Sequence, residues 1–135
     1  MPQISHMFFK ASAIFLVIGV LIGLQMSITN EHDAAGAHAH LSLLGWVSCA
    51  LFGGYYAFNP EKAATRIAVL HFWTIVVATA LMTGALYLVL LGNGAMVPLV
   101  AAGSFLFFAG SLLFLWIVFT RVNETLPRAD SPMAG

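Results

Sequence analysis

Charge is scarce in this chain. Its 135 residues include five Lys or Arg and five Asp or Glu, which is 7% charged against 61% hydrophobic. Soluble domains carry about 25% charged residues, so the balance excludes a soluble globular domain and predicts an integral membrane protein. Cysteine occurs once, at Cys49, which excludes a disulfide within the chain and a thiolate-rich zinc site. Cys49 reads as a small apolar filler within a helix. Alternating apolar and polar strands are missing, which excludes a transmembrane β-barrel. No glycine-rich nucleotide loop, nucleophile triad or basic nucleic-acid patch is present.

Four apolar runs are long enough to cross a bilayer, which takes about 20 residues each. They cover about residues 8–29, 36–58, 67–91 and 96–120. The expected fold is therefore all-α and integral to the membrane: one four-helix transmembrane domain over residues 1–135. The first run is too long for a signal peptide and has no small-residue cleavage site after it, so it reads as a true span. Asn59-Pro60 ends the second helix, because proline lacks a backbone donor and restricts the residue before it. Gly92-Asn93-Gly94 marks a tight turn, and Pro98 suits the first turn of the fourth helix. Gly19-x-x-x-Gly23 allows a close approach to the first helix. After Arg121 the sequence turns polar, with Pro127 and Pro132, and reads as a mobile tail.

All five cations (Lys10, Lys62, Arg66, Arg121 and Arg128) fall before the first span's middle, between spans two and three, or after span four. With four spans those regions share one side, which the positive-inside rule makes cytoplasmic. Both termini are then cytoplasmic, and the loop at residues 30–35 and the turn at 92–94 lie outside. Phe8, Phe9, Tyr55, Tyr56, Trp73, Tyr87 and Trp116 read in part as interfacial aromatics. The phenylalanines of the fourth span (Phe105, Phe107, Phe108, Phe114, Phe119) read as facing lipid and neighbouring helices.

Titratable residues inside a span are costly and mark function. His38 and His40 open the second span. At about 100° per residue they point roughly 200° apart, so they cannot easily share one metal but can serve two sites. His32 lies with them toward the outer side, and His6 and His71 lie toward the inner side. His71 is five residues past Arg66, roughly 8 Å along a helix, in a hydrocarbon core about 30 Å thick. It is too far in depth to join His40 on one iron. A lone membrane histidine is adequately explained by an interhelical hydrogen bond. A pair on opposite faces at one depth favours metal or haem ligation, for which neutral imidazole is the standard ligand. Glu31, His32 and Asp33 read as a solvated loop rather than a metal site.

From His38 to Tyr56 the chain reads HAHLSLLGWVSCALFGGYY. This stretch resembles the tenth helix of the catalytic subunit, subunit I, of haem-copper oxidases. The likeness is greatest to the C-type cytochrome c oxidases and more distant to nitric-oxide reductases. In those proteins H-x-H precedes L-G-W-V and F-G-x-x-Y. The matching residues are His38, His40, Leu44, Gly45, Trp46, Val47, Phe52, Gly53 and Tyr56, and the following H-F-W is matched by His71, Phe72 and Trp73. The likeness covers residues 38–73, and beyond them only hydrophobic span.

The resemblance implies haem b, with His38 and His40 as axial ligands of haem iron, His38 at the high-spin position and His40 at the low-spin one. His71 and Trp46 are accessory, and His71 is not an iron ligand in that family. It also implies a bacterial inner (cytoplasmic) membrane. The family subunit has several times as many helices, including those that supply the second low-spin ligand and the copper histidines. Oxygen reduction by this chain alone is therefore not expected, and no residue is assigned a catalytic role. Four helices match one third of that pseudo-threefold subunit, so a homotrimer would rebuild the ring, and a dimer would also satisfy the histidine pairing. Three functions follow as expectations: electron transfer through bis-histidine haem, with quinol or a c-type cytochrome as partner; a gas-binding haem protein or sensor with one ligating histidine; or a non-catalytic assembly or interaction subunit, with copper or without metal.

Overall fold

The computed structural model describes residues 1–121. Arg128, Pro127, Pro132 and the polar tail lie outside the described residues.

Four helices are long and apolar enough to cross a membrane, and the chain is a multi-pass helical membrane protein. Helix α1 spans Gln3–Thr29. Helix α2 spans Ala35–Phe58, followed by a short α3 at Pro60–Ala63. Helix α4 spans Arg66–Leu90 and α5 spans Val97–Phe119. The ends follow local chemistry. Asn30 closes α1 in the left-handed conformation at φ 58°, which asparagine tolerates better than most residues. Thr65 caps α4 by accepting the Ala68 amide on its hydroxyl. Gly92 turns the chain at φ 100°, where a side chain would be strained. Pro98 sits in the first turn of α5.

Helix α1 packs along α2, the first half of α2 along α4, and α4 along α5. No comparable seam joins α1 to α5, so the spans form an open arc. Gly103 lets α5 approach α4 closely, since a Cβ there would lie 2.7 Å from the Met82 backbone nitrogen.

The seam between α1 and α2 depends on an irregularity. Leu41–Val47 forms a π-helical segment directly after the two histidines. Ala37, Leu41, Gly45, Cys49 and Gly53 are all buried and all four residues apart. In a regular α-helix each step of four overshoots by about 40°, which would wind this row away from α1. The wider i→i+5 turns hold it in line. Two hydroxyls of α1 bond to α2 carbonyls along this seam: Ser12 donates to Trp46 O at 2.9 Å, within the π-helical segment, and Ser5 to Gly53 O at 2.7 Å, in the regular turns beyond it. Such interhelical bonds are favoured where no water competes.

The core corrects part of the aromatic reading. Phe8 and Tyr56 are fully buried rather than interfacial, because the α1–α2 seam turns both inward toward α4. Trp73 and Trp116 are exposed, as are Phe105, Phe108 and Phe119.

Candidate functional site

His38 lies in the second turn of α2, on the side facing α1. Its ring occupies the space left by Gly23, while the space at Gly19 is met by Ser42 and Leu41. A Cβ on Gly23 would come within 3.1 Å of His38 Cε1. Gly23 thus admits an imidazole rather than a bare helix backbone. His38 Nδ1 lies 2.8 Å from Gly19 O. A carbonyl only accepts, so Nδ1 carries the proton and Nε2 keeps its lone pair. No hydrogen bond engages Nε2 among the described residues, and the ring is half-buried.

His40 lies on the opposite side of the helix and is exposed. Its Nδ1 is 2.7 Å from Gly36 O, one turn back on its own helix. The same argument leaves Nε2 as a free lone pair. Two imidazoles at one depth are therefore held in the same tautomer by backbone carbonyls. That arrangement orients the ring and leaves the other nitrogen to coordinate, as in ligating histidines generally. One is anchored to a neighbouring helix and the other to its own.

His71 lies at the opposite end, one to two turns into α4, and is fully buried. Tyr56 Oη is 3.0 Å from His71 Nδ1. Phe8, Phe52 and Phe114 enclose the ring, with centroids 5.3, 4.8 and 5.2 Å away. His71 Nε2 has no hydrogen-bond partner among the described residues. The arrangement is a buried polar pair in an aromatic cage. Sequence reasoning placed His71 on the inner side but did not pair it with Tyr56. The signal was the second tyrosine of Tyr55-Tyr56, three residues past the last seam glycine, Gly53, and so on the same helix face.

Trp46 points outward, and its contribution to the seam is its carbonyl. Cys49 is buried in the seam with no disulfide partner. Glu31, His32 and Asp33 are exposed, and no three His, Cys, Asp or Glu side chains converge on a metal-sized site among the described residues. The structure thus does not bring His38, His40 and His71 together. It separates them into a pair at one end, whose Nε2 lone pairs are unengaged among the described residues, and a histidine at the other end enclosed by aromatics.

No protein family, curated protein or solved structure matches the chain.

Proposed function

We propose that this protein binds haem b through His38 and His40 and carries electrons within a membrane. The observation that carries the proposal is the shared tautomer: each Nδ1–H is committed to a backbone carbonyl, at 2.8 and 2.7 Å. Each Nε2 is left as a neutral donor suited to haem iron. His40 adds weight, because an exposed imidazole one turn into an apolar helix is costly unless a ligand or partner uses it. Where both axial positions are filled by histidine, haem favours electron transfer over ligand activation.

The pairing needs more than one chain. The two imidazoles face opposite ways, so one protomer offers two half-sites. A homotrimer of these open arcs, resembling the ring of haem-copper oxidase subunit I, would bring His38 of one protomer toward His40 of the next. The likeness over residues 38–73 supports the trimer over a dimer. In this reading the cation-bearing end is cytoplasmic, the membrane is a bacterial inner membrane, and the electron partner is quinol or a c-type cytochrome.

The test is an optical spectrum of the detergent-purified protein, oxidised and dithionite-reduced. A Soret band and sharp reduced α-band at one haem per chain are expected, and both should disappear in the His38→Ala, His40→Ala double variant. Protein without a Soret band after expression with haem supplementation, or a band surviving the double change, refutes the proposal. A second reading draws on the unequal setting of the two rings. His38 is half-enclosed against α1 while His40 is open, which suits a five-coordinate, gas-binding haem on His40 alone. A carbon monoxide shift of the whole reduced band, unaffected by His38→Ala, selects that reading.

A further inference from the structure

A groove of about 150 Å³ opens at the cation-bearing end, between the start of α4 and the end of α5. Lys62, Thr65, Ile67, Trp116 and Arg121 line it. Lys62 reaches across from α3. Its Nζ donates to Tyr55 Oη at 2.8 Å and to the last carbonyls of α5, Ile117 O at 2.7 Å and Val118 O at 2.9 Å. All three ammonium protons therefore go to neutral acceptors, and the full positive charge stays beside the groove without a carboxylate on it among the described residues. Arg121 is exposed at the other wall, and no hydrogen bond engages its guanidinium among the described residues. Below the two cations the walls become apolar through Ile67 and Ile117. Trp116 is 51% exposed there, in the position amphipathic rings take at a membrane interface.

We propose that this groove seats the phosphate of an anionic phospholipid, with Lys62 and Arg121 providing the positive field and Ile67, Ile117 and Trp116 flanking the first acyl carbons. Charge complementarity selects this occupant. Two cations meet an apolar wall at membrane depth, and basic pockets between transmembrane helices bind such headgroups. The groove holds a phosphate but not a whole lipid, so the chains must run along the outer faces of α4 and α5. This inference does not rest on the haem reading.

The experiment is native mass spectrometry of the detergent-purified full chain with an equimolar mixture of dioleoyl-phosphatidylglycerol and dioleoyl-phosphatidylcholine. Phosphatidylglycerol is expected to be retained preferentially. Arg121→Gln should lower its retention about fivefold, the effect of one surface cation on an anionic lipid. Lys10→Gln, an equal loss of charge from exposed α1, should leave retention unchanged. Ile67→Phe, which narrows the groove without altering any charge, should also lower it. Equal retention of the two lipids, or equal losses in Arg121→Gln and Lys10→Gln, overturns the proposal. Displacement of the lipid by an equal concentration of inorganic phosphate also overturns it and assigns the groove to a free anion.

Discussion

Adding one methyl group at Gly23 tests how His38 is held. The new Cβ would lie 3.1 Å from His38 Cε1 and 3.4 Å from Nδ1, tighter than ordinary carbon contact at about 3.5–4.0 Å. The ring must retreat by a few tenths of an ångström, but its Nδ1–H is tied to Gly19 O at 2.8 Å. Retreat therefore strains a hydrogen bond worth about 1 kcal/mol, and overpacking adds about 1 kcal/mol or more. Against this, alanine in place of a helical glycine contributes up to about 1 kcal/mol. Gly84 provides the control, because a Cβ there meets nothing within 4 Å. Gly84→Ala should be neutral or stabilising, and Gly23→Ala should fall below it by about 1–2 kcal/mol. The assay is reversible unfolding of the detergent-solubilised protein, read by helical circular dichroism. A double-mutant cycle isolates the cause: with His38→Ala in place, the Gly23→Ala penalty should vanish, giving a coupling of about 1–2 kcal/mol. A coupling indistinguishable from zero, or equal effects at Gly23 and Gly84, refutes the seat as described.

Two further outcomes follow from the end that carries His71 and Lys62. Tyr56→Phe removes the partner of His71 Nδ1 and leaves a fully buried imidazole without any hydrogen bond, so it should destabilise by about 1–3 kcal/mol. The double change Tyr56→Phe, His71→Phe should recover most of that loss, because the surroundings are Phe8, Phe52 and Phe114; denaturation midpoints measure both. Lys62→Met deletes three hydrogen bonds, two of them to the last carbonyls of α5 and one to Tyr55 on α2, for a loss of about 2 kcal/mol or more. Limited proteolysis should then cut the C-terminal region faster while the α1–α2 seam stays protected.

The four spans could be read from the residues alone. Crossing a bilayer is a demand on local length and hydropathy, and neither depends on what a helix touches. The structure's helices begin and end within a few residues of the expected runs, at the expected Asn59-Pro60 and Gly92 signals. The clustering of the described cations at one end was equally local. So was the opposed direction of His38 and His40, since helical rise and twist separate residues two apart wherever the helix lies.

The surroundings of those residues were not legible in the same way. These spans are apolar nearly all round, so no polar stripe distinguishes a packed face from a lipid-facing one. Gly19 and Gly23 became a seat for His38, Ser12 found Trp46 O, and Lys62 reached the end of α5 across 19, 34 and 55 residues of chain. Such pairings depend on the register between distant helices, and in α2 that register turns on the π-helical segment at Leu41–Val47. Composition and spacing placed the histidines in the membrane. Packing alone decided that His38 is held against Gly19 O of another helix while His71 is enclosed behind Tyr56 and three phenylalanines, because burial and interhelical hydrogen bonding are properties of neighbours brought together by the fold.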